Sequence, residues 1–79
     1  MSQMSDLVAV VARALADRPD QVRVTETEHR GTTVVELFMG PGELGRVIGR
    51  QGRTAAAMRT LVSALAEKQG KRVNLEFRD

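Results

Sequence analysis

The break at Gly49-Arg50-Gln51-Gly52 does most to limit what this chain can become. It falls between two stretches of helical character. Glu43 to Ile48 has length for one short helix. From Arg53 onward, Ala55, Met58, Leu61/Val62 and Leu65 recur at helical spacing, and Ala55-Ala56-Ala57 favours helix strongly, so the second helix runs to about Gln69. A helix interior pays about 1 kcal/mol for each glycine relative to alanine, so two glycines in four residues divide what would otherwise be one rod. The fold must therefore contain a short helix, a tight turn and a longer helix. With 79 residues in all, a single hydrophobic core can close around that unit, which excludes barrels and doubly wound enzyme folds. We read residues 1–79 as one domain with an ordered core of about 5–78.

The rest of the chain supplies one further helix and three strands. Leu7, Val10, Val11, Ala14 and Leu15 predict a helix over about 5–17, capped by Ser5 or Ser2 and ended by Pro19. Val22, Val24 and the Thr25/Thr27 region read as a strand, His29-Arg30-Gly31 as a turn, and Thr32 to Met39 as a second strand. Glu36 marks the solvent side of that strand. Val35, Leu37 and Met39 are then expected in the core, with Val34 and Phe38 on the outer face. Arg72 to Arg78 alternates, placing Val73, Leu75 and Phe77 inward. The order α-β-β-α-α-β is an α+β fold, a three-stranded sheet covered on one face by helices.

Charge is distributed unevenly. Residues 1–43 carry a net charge of −3 and residues 44–79 a net charge of +5. Arg46, Arg50, Arg53 and Arg59 fall within fourteen residues that contain no acid. Such a local excess attracts anionic partners, and arginine's planar fork suits phosphate and base edges. The total, +2, conceals this.

Other chemistries find little support. There is no cysteine, so thiol nucleophiles, disulfides and cysteine-held metals are excluded. His29 is a lone histidine read as a surface turn residue, and no metal, cofactor or catalytic residue is expected. The longest apolar run, Leu7 to Ala12, is too short for a membrane span, and the N-terminus lacks the basic segment of a signal peptide, so we expect a cytoplasmic protein with no membrane insertion. Gly40-Pro41-Gly42-Glu43-Leu44-Gly45 is formally GxGxxG. No acid follows at the distance a dinucleotide fold requires, and the chain is too short for the second half of such a fold. We read that segment as a strand-to-helix connection, with Glu43 a favourable acid at the helix start.

The second glycine pair, at Gly49 and Gly52, carries Arg50 and Gln51 at its tip and Arg53 at the start of the next helix. Val47 and Ile48 precede it as an apolar wall. Spacing alone leaves two readings open, a phosphate-contacting loop and a solvated connection. Here the chain resembles a known family. Val47-Ile48-Gly49-Arg50-Gln51-Gly52-Arg53-Thr54 is similar to the V-I-G-x-x-G core of the bacterial-type (type II) KH domain, whose elements follow the same order. More narrowly the chain resembles the small stand-alone KH proteins of bacteria, the KhpA family.

That resemblance implies binding of single-stranded RNA, with the loop clamping the backbone of unpaired nucleotides. It assigns Arg46, Val47, Ile48, Gly49, Arg50, Gln51, Gly52, Arg53 and Thr54 to the RNA site. The groove would be completed by the strand Val34–Met39, with Arg59, Val34 and Phe38 as secondary contacts. It further implies an RNA chaperone that self-associates, pairs with a Jag-type KH protein (KhpB) and affects cell-envelope homeostasis and cell elongation. The alternative is a dimerising adaptor with little RNA affinity of its own, using Val34, Phe38 and the Ala-rich helix face. With two Phe and no Tyr or Trp, aromatic stacking platforms are scarce. Phe77 is expected in the core, and RNA contact is expected to lean on backbone, groove and arginine.

Overall fold

The computed structural model describes residues 2–78. Its elements are α1 (Gln3–Leu15), β1 (Arg23–His29), β2 (Thr32–Phe38), α2 (Leu44–Ile48), α3 (Arg53–Lys68) and β3 (Arg72–Arg78). The α-β-β-α-α-β order predicted from the sequence is present. A single 3-10 turn at Pro19–Gln21 links α1 to β1.

The sheet is mixed, with strand order β1-β2-β3. β1 and β2 form an antiparallel hairpin in which Val24 faces Leu37 and His29 faces Thr32. His29 therefore belongs to the strand, and the turn is Arg30-Gly31, both with positive φ as a tight hairpin turn requires. β2 and β3 run parallel, Val35 beside Leu75 and Phe38 beside Arg78. Parallel neighbours need a long crossover, and α2, the glycine loop and α3 supply it.

Helices pack on one face of the sheet. Val35, Leu37, Met39 and Leu75 point into the core from the strands, as the alternation predicted. From α3, Ala55, Met58, Val62 and Ala66 are buried and Leu61 is exposed. The periodicity allowed either Leu61 or Val62, and packing selects Val62.

The inward face of α1 differs from the expected one. Met4, Ser5, Val8, Ala9 and Ala12 are buried, Leu7 and Val11 are half-buried, and Val10, Ala14 and Leu15 are exposed. Leu7 to Ala12 is apolar on all sides, so spacing could not choose between stripes. The stripe that includes Ser5, Ala9 and Ala12 has the smaller side chains, which permit close approach.

The start of α1 is held from β1. Ser2 caps the helix, its Oγ accepting from the Ser5 N–H at 3.4 Å. Glu26 accepts from Ser2 Oγ at 2.6 Å, from the Ser2 N–H at 3.3 Å and from Ser5 Oγ. The Ser2 and Ser5 hydroxyls hold the Glu26 carboxyl below its ordinary range, since they bond the charged form.

The other sheet face carries no helix. Arg78 reaches across it to Glu36 at 3.1 Å and to Glu76 at 3.2 Å. Phe38 lies there half-buried beneath the Arg23 guanidinium, 5.6 Å from the ring centre. Val34 is also half-buried. The exposed pair expected at Val34 and Phe38 is therefore partly covered by its neighbours. The most exposed large apolar side chains are instead Val10, 65% exposed, and Leu61, 51% exposed.

Candidate nucleic-acid interface

The two glycine segments lie at the two ends of α2, a helix of five residues. At its start, Glu43 is only 4% exposed. Its side chain turns away from α2 toward the α1–β1 connection. There Oε1 accepts from the Asp17 N–H at 2.5 Å and the Arg18 N–H at 3.1 Å. This explains why α1 stops at Leu15, two residues earlier than the sequence predicted. The amides of Asp17 and Arg18 bond a carboxylate from a distant segment instead of the preceding helical turn. Arg46, one turn into α2, makes a 2.7 Å ion pair with Asp17. Two contacts from the α2 region thus clip the end of α1 to the short helix.

At the other end the chain turns outward. Gly49 has φ 76 and ψ 173, a conformation open essentially to glycine alone. A Cβ there would lie 2.5 Å from Thr54 Oγ1 and 2.9 Å from Thr54 Cβ. The missing side chain of Gly49 is thus used within the molecule, to admit Thr54. Gln51 (φ 58) and Gly52 (φ 70) are both left-handed, and a Cβ at Gly52 would meet nothing within 4 Å. The Gly52 N–H bonds the Gly49 carbonyl at 3.1 Å and closes the turn.

Arg50, Gln51 and Arg53 are exposed, and Arg53 Nη2 donates to Gln51 Oε1 at 3.0 Å. The loop then delivers the chain into α3, sixteen residues long. No side chain caps that helix, and its first turn carries Arg53 and no acid. The positive end of the helix dipole and two arginine side chains therefore converge without a counter-charge from the first turn, an arrangement that favours an anion.

The structure redistributes the residues proposed from the sequence. Gly49 to Arg53 form one tip, with Arg50, Gln51 and Arg53 exposed and the two glycines half-buried. Thr54 is half-buried against Gly49, and Arg46 is held by Asp17 at the far side of α2. Ile48 is half-buried beside the loop. Val47 is fully buried in the core cluster, which removes it from any groove lining.

The strand expected to complete the groove is also different. β2 is the central strand, its inner face is covered by helices, and Val34 and Phe38 lie on the opposite face. The strand beside α3 at the sheet edge is β3. A shallow groove separates the two, lined by Arg59, Ser63, Val73 and Leu75. Phe77, expected in the core, is half-buried and packs against it, with the Arg59 guanidinium 4.9 Å from its ring centre.

Among the described residues no cluster of three or more His, Asp or Glu side chains is placed to hold a metal ion. No helix among the described residues is long and apolar enough to cross a membrane. The mixed three-stranded sheet, the element order and the helix–Gly-x-x-Gly–helix crossover define a type II KH domain. Residues 5–77 match the family described as KhpA/KhpB, KH domain. The chain is 53% identical to the RNA-binding protein KhpA of Aquifex aeolicus over 77 residues, covering 98% of each chain. It is 48% identical to KhpA of Caldanaerobacter subterraneus over 94% of this chain and 99% of that one. For KhpA of Halalkalibacterium halodurans the identity is 47%, over 96% of this chain and all of the relative. The chain belongs to the KhpA/KhpB family of KH-domain proteins.

Proposed function

We propose that this protein binds single-stranded RNA, with the loop from Gly49 to Gly52 contacting the phosphate backbone. One observation carries the reading. Arg50 and Arg53 are exposed beside the uncapped start of α3, at the loop that bears the family's glycine pair. The relatives' name, RNA-binding protein, supports RNA as the polymer. The binding residues we assign are Gly49, Arg50, Gln51, Gly52 and Arg53, with Ile48 and Thr54 supporting the loop. Arg46 joins them by exchanging Asp17 for phosphate, since an exposed ion pair is worth only about 0–1 kcal/mol.

From the family resemblance we take the reading further. The protein acts in the cytoplasm as a single-domain RNA chaperone, paired with a Jag-type KH partner, in the maintenance of cell elongation and the cell envelope. Two or three phosphate contacts correspond to a log-affinity against log-salt slope of about −1.4 to −2 on single strands. The Arg50→Asp/Gln51→Asp double variant is expected to lose RNA binding in fluorescence anisotropy while keeping the far-UV spectrum of the parent. A folded double variant with parental affinity would falsify the assignment.

A second reading, self-association, is favoured by a separate observation. Val10 and Leu61 stand exposed on α1 and α3, two helices that pack against each other. Leu7, Val11 and Leu65 are partly buried on the same two helices. Dimerisation through this face would present two loops to one strand and raise avidity. Sedimentation at low micromolar concentration decides it, and a monomer for the parent chain removes it.

A further inference from the structure

We propose that Gln51 is a positioning residue for Arg53. Its amide oxygen fixes the Arg53 guanidinium at the loop tip, and Gln51 serves RNA binding through Arg53. That role rests on the RNA-binding reading above and deepens it.

Gln51 sits at φ 58, ψ 24, in the left-handed region. Among the described residues only Arg30 shares a positive φ without being glycine, and there the two-residue hairpin turn demands it. A side chain with a Cβ is uncommon in that region, and such positions cluster where function holds them. From there the Gln51 side chain meets Arg53, two residues on, and its Oε1 accepts from Arg53 Nη2 at 3.0 Å. A guanidinium can only donate, so oxygen is the amide atom that must face it.

Nothing else holds the head of Arg53. Among the described residues it makes no ion pair and no second side-chain hydrogen bond, and the first turn of α3 offers no acid. An exposed arginine left alone samples many rotamers, and confining it on binding costs affinity. The Gln51 amide confines it beforehand. Arg50, exposed at the same tip, has no such partner among the described residues. The groups left over suit the ligand. The one acceptor atom on the Gln51 side chain is engaged by Arg53. What the pair still presents is N–H groups, from Gln51 Nε2 and the rest of the guanidinium, and the charged oxygens of a phosphodiester only accept.

The competing account gives Gln51 its own contact with the strand, independent of Arg53. A double-mutant cycle separates the two. Fluorescence anisotropy with a short uridine oligoribonucleotide, at one salt concentration, compares the parent, Gln51→Ala, Arg53→Ala and the double variant. Alanine keeps a Cβ, so the left-handed backbone at position 51 is equally disfavoured across the set. Positioning predicts that Gln51→Ala weakens binding about threefold and Arg53→Ala about tenfold, and that the double variant binds as Arg53→Ala does. Gln51→Met, which has the length but no strong acceptor, is expected to match Gln51→Ala. Additive losses in the double variant overturn the proposal and leave the loop reading intact, since each side chain then meets RNA separately. Parental affinity of Gln51→Ala, Gln51→Met or Arg53→Ala also overturns it. Failure of the parent to bind the oligomer overturns the RNA-binding reading and the positioning role with it.

Discussion

The segments at the two ends of α2 have similar spelling and opposite uses. Gly40-Pro41-Gly42-Glu43 and Gly49-Arg50-Gln51-Gly52 each interrupt regular structure with two glycines and a charged residue. In the first, the charge goes inward. Glu43 is buried and bonds two amides from a segment more than twenty residues away. In the second, the charges go outward, and the only intramolecular bond between the tip side chains joins Arg53 to Gln51. The difference teaches that a glycine pair specifies a change of chain direction and nothing about its occupant. What decides is the sign and reach of the side chain beside the turn. A carboxylate can satisfy unpaired N–H groups within the chain, whereas a guanidinium only donates, and among the described residues those of Arg50 and Arg53 meet no carboxylate.

The comparison can be broken by stability measurements. Gly49→Ala is expected to have the largest effect, about 3 kcal/mol of destabilisation in urea titration. It combines a backbone region reserved for glycine with a clash against Thr54. Glu43→Ala comes next at about 2 kcal/mol, because the amides of Asp17 and Arg18 lose a charged acceptor in a partly buried place. An unchanged midpoint for Glu43→Ala would mean that the first segment is no more committed inward than the second.

Smaller changes sharpen the contrast. Gly52→Asn is expected to cost less than about 1 kcal/mol, since asparagine tolerates the left-handed region and the added atoms meet open space. A cost equal to that of Gly49→Ala would show that the two glycines of the outward loop are not distinguished by Thr54. The Arg50→Asp/Gln51→Asp pair, which carries the binding test, is expected to move stability by less than about 0.5 kcal/mol. The charged side chain of the inward segment should thus respond in stability and the tip side chains of the outward one in binding.

Much of this was legible before any coordinates. The element order, the inward set Val35, Leu37, Met39 and Leu75, and the glycine break all follow from local spacing. Failures came where a residue's environment depends on a distant segment. Glu43 reads as a helix-start acid until the chain end of α1 is brought to it. Val47 reads as groove lining until α2 is rotated against the core. The groove was assigned to the strand Val34–Met39, because nothing in sequence order says that β2 is central and β3 is the edge beside α3. Arg59 reads as either part of the basic area or a solvated side chain, because its contact with Phe77 exists only across the α3–β3 packing.

By itself, the sequence determined where the chain bends, which stretches are helix or strand, and that its positive charge gathers around one turn. Backbone preference, side-chain period and formal charge are local properties that no folding partner is needed to reveal. Tertiary structure alone decided which stripe of α1 is buried, which glycine segment keeps its charged side chain inside, and which strand borders the groove. Each of those choices is a competition among whole-domain packings that satisfy the same local rules. It is settled by close fit and by the pairing of buried polar groups across distant parts of the chain.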